Sequence, residues 1–190
     1  MRGSRWIPLW VVLAGAITAT PGHAALADWK GHFSLGYGKL FARDAPAGGF
    51  SFAGGVDFPL AGNVRVGPDI GFHLLGTQSL TSGSLNANLD YTLFELALRA
   101  HWKPMHAGPL HRVSFGPALM RASAQVSSSS AGLAFENREI SELRPGAALD
   151  LALMPGRAIP VAVGFEFGAR TAFLAHETWT IGTLRLVLHY

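Results

Sequence analysis

The feature that most constrains this fold is an alternation of apolar and polar residues with a period of two, which recurs along most of the chain. Residues 161–173 show it most clearly: Phe165 and Phe167 fall on one face, while Glu166 and Gly168 fall on the other. Because successive side chains of a β-strand point to opposite faces, the pattern predicts strands with one apolar and one polar face. No segment has a convincing helical period, so we expect an all-β protein.

Eight segments carry this alternation, and turn-like or polar connections separate them. They are Trp29–Phe41, Phe50–Leu60, Val64–Gly76, Tyr91–Lys103, His111–Ala124, Glu142–Met154, Val161–Phe173 and Trp179–Tyr190. Eight consecutive two-faced strands predict an eight-stranded antiparallel up-and-down β-barrel. The connections Thr77–Asp90 and Gln125–Ser141 are long and polar, whereas those after the even-numbered segments are short. This asymmetry predicts outer loops on one side of the barrel and tight turns on the other.

The alternation does not by itself decide which face of the barrel is inside. A transmembrane barrel turns its apolar face to lipid, whereas a soluble lipocalin-like ligand carrier turns that face inward. Charged residues make up only 14% of the chain, against roughly 25% in soluble domains, and the polar face is rich in glycine. Small residues leave room inside a narrow barrel for large charged neighbours. We therefore predict a transmembrane barrel.

The first 27 residues have the pattern of a secretory signal peptide, with two arginines followed by an apolar run. Cleavage is expected after Ala24 or Ala27, so the sequence predicts a signal peptide at 1–27 and an outer-membrane β-barrel domain at 28–190. Two of the fifteen basic residues lie in this leader, so the remainder, with twelve acidic residues, is close to neutral. That balance argues against a nucleic-acid partner. The chain has no cysteine, which excludes disulfides and a lipid-modified N-terminal cysteine.

Charged side chains gather on the polar face, and inside a barrel they must be paired because an unpaired buried charge is unfavourable. The predicted lumenal ion-pair network consists of Lys30, Asp57, Arg65, Asp69, Glu95, Arg99, Lys103, Arg112, Glu142, Arg144, Asp150, Glu166, Arg170 and Arg185. An eight-stranded barrel has no room for an open channel, so we interpret the network as a structural plug, with a proton path or narrow conduit as the alternative. The sequence predicts no catalytic residue, no metal site and no cofactor.

The last segment ends on an aromatic residue after a regular run of leucines. In this respect it resembles outer-membrane barrels, whose final strand carries a signal that the barrel-assembly machinery reads. The residues that would carry this signal are Leu184, Leu186, Leu188 and Tyr190.

The whole mature chain resembles the small outer-membrane β-barrel proteins of the OmpA/OmpX-like class. The resemblance rests on strand number, alternation, the terminal aromatic residue and the strand starts Gly67-Pro68 and Gly116-Pro117. It implies a monomeric integral protein of a Gram-negative outer membrane, in contact with outer-membrane lipid and lipopolysaccharide, and with the barrel-assembly machinery during biogenesis. The class implies envelope-structural or surface-contact roles.

Two other functions stay open. Small outer-membrane barrels include lipid A deacylases, and His32-Phe33-Ser34 resembles the His-x-Ser pair of that family, although both side chains fall on the polar face here. A lipid-modifying enzyme is therefore one alternative, and a soluble periplasmic carrier of the lipocalin type is the other. We expect a non-catalytic integral outer-membrane protein with a packed, ion-paired interior and polar extracellular loops.

Overall fold

The computed structural model describes residues 28–41, 48–82, 85–104, 109–130, 133–134, 138–154 and 162–189. In this part of the chain the strands are β1 Lys30–Phe41, β2 Gly49–Ala61, β3 Val64–Ser82, β4 Leu85–Trp102, β5 Leu110–Ser130, β6 Leu133–Ala134, β7 Arg138–Leu153, β8 Ala162–Phe173 and β9 Thr178–His189. The predicted signal peptide lies outside the described residues. Within the described ranges, no helix has the length and hydropathy needed to cross a membrane.

The sheet closes on itself, because β1 pairs with both β2 and β9 while β4 pairs with both β3 and β5. The pairs β2–β3, β5–β7, β7–β8 and β8–β9 complete the circle, and all of these pairs are antiparallel. The short β6 has two residues and pairs with the end of β5. In the described part of the chain, eight strands therefore form the wall, which confirms the predicted eight-stranded antiparallel barrel.

Four strands continue beyond the wall, and β3 and β4 stay paired to the tip of their hairpin. This extension, the projecting sheet, consists of Thr77–Ser82, Leu85–Asp90, Gln125–Ser130 and Arg138–Ser141. The prediction of loops at Thr77–Asp90 and Gln125–Ser141 is therefore wrong for most of their length. Polar side chains stabilise the pairing instead: Thr81 Oγ1 donates to Asn86 Oδ1 at 3.0 Å across the strands. One face is polar here, while the other carries Leu80, Ala87 and Leu89 between polar residues, so these strands show only a weak alternation in the sequence.

The two faces of the barrel wall differ in chemistry. Large apolar side chains are exposed on the outward face of every strand of the wall, for example Phe33, Phe50, Ile70, Phe94, Phe115, Leu149, Phe165 and Leu184. The inward face buries charged side chains, among them Glu95, Asp150 and Arg170, each at most 1% exposed. This is the reverse of a soluble lipocalin-like barrel, and it is the orientation of a barrel whose outer face meets lipid.

Glycine is required at two kinds of position in this wall. A Cβ at Gly168 would collide with the guanidinium group of Arg170 and the carboxylate of Asp150, so glycine leaves the space in which these two groups pair. Gly62 lies in the turn between β2 and β3 with a φ of 52°, a left-handed conformation that favours glycine. We call the end of the barrel that contains this turn the turn end, and the opposite end the projecting end.

The outward face provides a direct test of its environment. Phe167 is exposed near the middle of β8, and Phe173 is exposed at its last residue. If lipid covers this face, Phe167→Arg should lower the free energy of unfolding by about 2–4 kcal/mol, and Phe173→Arg, near the interface, by only about 0–1 kcal/mol. Guanidinium-induced unfolding in phospholipid vesicles measures both values. A loss below about 0.5 kcal/mol for both variants, as at an ordinary wet surface, would contradict the lipid-facing orientation.

Candidate functional site in the barrel interior

The centre of the interior is a carboxylate that faces three guanidinium groups. Asp150 projects inward from β7 and accepts hydrogen bonds from Arg99, Arg170 and Arg185. Arg170 donates twice, from Nη1 to Oδ1 at 2.5 Å and from Nη2 to Oδ2 at 2.9 Å. Arg185 Nη2 donates to Oδ1 at 3.0 Å. These bonds connect β4, β7, β8 and β9 through the interior of the barrel.

Glu95 and Asp69 compensate the charge of two of these arginines. Glu95 Oε2 accepts a hydrogen bond from Arg170 Nε at 3.1 Å, and Oε1 accepts one from Arg99. Asp69 Oδ2 lies 3.2 Å from Arg99 Nε. Arg99 therefore faces carboxylates from β3, β4 and β7.

Glu166 joins the set to one further arginine. Its Oε1 accepts a hydrogen bond from Arg185 Nη2 at 2.6 Å, and its Oε2 accepts one from Arg112 Nη2 at 3.1 Å. The central network defined by these contacts consists of Asp69, Glu95, Arg99, Arg112, Asp150, Glu166, Arg170 and Arg185, each at most 2% exposed. Its four arginines and four carboxylates balance in formal charge, as a set removed from water requires.

Asp57 and Arg65 form a separate buried pair at the turn end. Arg65 Nε donates to Asp57 Oδ1, and Arg65 Nη2 donates to the backbone oxygen of Asp57 at 2.9 Å. Arg65 Nη1 also donates to Asp28 Oδ2 at 3.4 Å, which ties the segment before β1 to β3. The predicted interior network thus falls into two parts.

Four residues predicted for the interior network lie outside it. Lys30 is exposed at the start of β1, and Lys103 is only half-buried just after β4. At the projecting end, Arg144 Nε donates to Glu142 Oε2 at 3.3 Å, and both side chains remain accessible to solvent. Alternation in the sequence assigns a residue to a face of the sheet but does not show where along the barrel axis the wall ends. The prediction is therefore corrected for these four residues, which do not belong to the enclosed network. The enclosed network is smaller than the sequence predicts.

Two buried histidines each contact a serine on a neighbouring strand, and His73 also lies close to the central network. His73 Nδ1 lies 2.8 Å from Ser51 Oγ, and its Nε2 lies 3.5 Å from Glu95 Oε2. His101 Nδ1 lies 2.8 Å from Ser114 Oγ. Although the order serine, histidine, carboxylate also occurs in hydrolases, both serines are at most 1% exposed, so neither hydroxyl is open to a substrate. We interpret both pairs as structural hydrogen bonds of the interior.

The His-x-Ser pair in β1 also points inward. His32 and Ser34 are 4% and 0% exposed, and Ser34 Oγ donates to the backbone oxygen of Ala53 at 3.4 Å. His32 Nε2 lies 3.5 Å from Asp69 Oδ2. The pair therefore does not face lipid, where a deacylase would need it. Among the residues that the structure describes, no cluster of three or more histidine, aspartate or glutamate side chains is arranged to hold a metal ion.

Toward the projecting end, apolar side chains replace the charges in the interior. This apolar plug consists of Leu40, Leu75, Leu93, Met120, Trp179 and Ile181, with alanines between them. Trp179 is only 5% exposed, and counting along the last segment places it on the inward phase. The same alternation that places the arginines inside the barrel also places these apolar residues there, but the charge pattern of the sequence does not indicate them. The interior thus changes from charged in the middle of the barrel to apolar toward the projecting end.

The leucines of the predicted assembly signal lie on the outward face of β9. Leu184, Leu186 and Leu188 are 48%, 49% and 38% exposed, while Tyr190 lies outside the described residues. Their recognition by the barrel-assembly machinery stays a prediction.

Known proteins share this fold at low sequence identity, although no family model and no curated protein matches the chain. A major outer membrane protein from Thermus thermophilus aligns with a TM-score of 0.57 and 12% identity, covering 85% of this chain and 97% of that one. Ail, the attachment invasion locus protein of Yersinia pestis, aligns at 0.56 and 12%, covering 85% and 98%. Neisserial surface protein A aligns at 0.55 and 12%, covering 85% and 95%. The chain therefore has the fold of small outer-membrane β-barrels.

The contacts of Asp150 predict that its charge is needed for stability. Asp150→Asn keeps the size of the side chain but leaves three buried guanidinium groups without their shared carboxylate. We expect the free energy of unfolding to fall by about 3–5 kcal/mol, the range for a buried charge that loses its partner. The matched control is Glu139→Gln, which removes an exposed carboxylate that pairs with Arg121 at 3.2 Å and should change the value little. Equal effects of the two variants in vesicle unfolding experiments would contradict the role of Asp150.

Proposed function

We propose that the chain is an exported, non-catalytic protein of a Gram-negative outer membrane, in which the packed interior stabilises the barrel and the projecting sheet makes contacts at the cell surface. One observation carries the proposal: the large apolar side chains are outside and the paired charges are inside. Lipid suits such a surface, and a closed barrel satisfies its backbone hydrogen bonds without an exposed edge in the hydrocarbon. We expect outer-membrane lipid and lipopolysaccharide to surround the barrel, and we expect the protein to be a monomer.

The height of the wall supports this placement. The strands β1, β8 and β9 each have 12 residues. A tilted strand needs about 9–11 residues to cross the hydrocarbon layer. On β5, the outward side chain of Arg121 is exposed and pairs with Glu139 of the projecting sheet. A paired charge at this position suits the level where the wall leaves the lipid.

The projecting sheet supports a contact role. One of its faces is polar, with Ser79 Oγ donating to Asn88 Oδ1 at 2.7 Å, so this face suits an aqueous environment. Within the described residues, β2 does not accompany β3 into this sheet, and the pairing of β8 with β7 stops at Gly146. Edge strands present unpaired backbone groups that other chains can bind. Two similar structures are named an attachment protein and a surface protein.

Shortening the β3–β4 hairpin tests the contact role. Thr77 lies opposite Asp90 in the register, so an Asn-Gly turn in place of residues 78–89 should join them without disturbing the wall. Bacteria that carry the shortened barrel should lose the attachment to cultured epithelial cells and serum-coated plastic that the full chain confers. Attachment is counted against bacteria without the chain.

A full-length variant, Thr81→Ser, serves as the matched control, because it keeps the hydroxyl that bonds Asn86. Electrophoretic mobility before and after boiling checks that both variants fold. If the shortened barrel folds and the bacteria still attach at the level of the full chain, the projecting sheet is not the contact surface.

A further inference from the structure

A pocket of about 360 Å³ opens at the projecting end of the barrel. Tyr91 and Trp179 line it with aromatic rings that meet edge-on, with their centroids 5.7 Å apart. Trp179 also belongs to the apolar plug, so the plug closes the pocket toward the interior. The volume lies near the lower limit of pockets that hold small molecules, about 300–1,000 Å³.

Two carboxylates lie at the mouth of this pocket, and each is held in place by a hydrogen bond. Glu177 Oε1 accepts from Trp179 Nε1 at 2.6 Å, and Glu142 Oε2 accepts from the backbone N–H of Ala175 at 3.1 Å. Each carboxylate has a second oxygen that these two bonds do not use. The backbone N–H of Ala175 lowers the pKa of Glu142, which keeps this group anionic.

Positive groups near the mouth compensate these carboxylates only in part. Arg144 Nε donates to Glu142 Oε2 at 3.3 Å, but the Arg144 side chain is 44% exposed and does not line the pocket. His176 lines the rim and is exposed. Glu177 is held by a neutral indole N–H, so its charge remains available to a ligand.

We propose that this pocket binds a small organic cation, an ammonium or guanidinium group on a short apolar body. Cations bind favourably to aromatic rings and to carboxylates, and both kinds of group meet here. Ile140 and Leu174 add apolar wall for the body of the ligand. The site goes beyond the proposed surface contact and does not depend on it, since every lining residue except Ile140 lies outside the projecting sheet.

Isothermal titration calorimetry of the intact protein, extracted from membranes into a non-ionic detergent, tests the proposal. The probes are 2-phenylethylammonium and 3-phenylpropionate, which have similar size and opposite charge. We expect the cation to bind and the anion not to bind. Glu177→Gln should weaken binding of the cation about tenfold or more, the effect expected when a charged hydrogen-bond partner becomes neutral. Arg144→Gln should strengthen it, because Glu142 loses its competing cation.

The control is Glu139→Gln, which removes an exposed carboxylate that does not line the pocket and should leave the affinity unchanged. Electrophoretic mobility before and after boiling checks the fold of each variant, and Glu142→Gln replaces Glu177→Gln if the latter does not fold. Equal affinity for the two probes, no binding of the cation, or an equal loss in the Glu139→Gln variant would overturn the proposal. A loss confined to the pocket variants would support it.

Discussion

The structure depends on the pairing of buried charges across the barrel interior. With apolar side chains on the outside, the charged residues inside the wall pair mainly with one another, and an unpaired charge there is strongly destabilising. Several of the pairs join strands that are not neighbours in the sheet: Arg99 of β4 reaches Asp150 of β7, and Arg112 of β5 reaches Glu166 of β8. The central network therefore connects strands of the wall that the hydrogen-bonded sheet does not pair directly.

The layers of the interior follow from this arrangement. Charged groups occupy the middle of the barrel, where the wall encloses them fully, and the apolar plug closes the interior toward the projecting end. Because the plug ends in Trp179, the mouth above it has an aromatic floor instead of an ionic one. Toward the projecting end, solvent-accessible pairs such as Glu142 with Arg144 appear beyond that point. The network that stabilises the barrel and the surfaces proposed to contact other molecules thus lie at different levels along the barrel axis.

Alternation in the sequence predicts strand number, strand order and the face on which each wall residue lies, as Phe165 and Glu166 illustrate. It does not predict height, because a residue such as Arg144 keeps its inward phase after the wall has ended. Nor does it reveal the projecting sheet, since the alternation of Leu85, Ala87 and Leu89 with polar residues is short and lies among serines, threonines and asparagines that resemble a loop. Pairings such as Glu95 with Arg170, 75 residues apart, depend on the register and closure of the barrel and become visible only in three dimensions.

Fractionation of cells that express the chain tests the central claim most directly. If lipid covers the apolar surface, the protein should stay with the membrane pellet after osmotic shock and an alkaline carbonate wash. Detergent should then release it. Recovery of the processed chain in the shock fluid, dissolved without detergent, would show that water covers its outer surface. That result would contradict the lipid-facing orientation of the barrel.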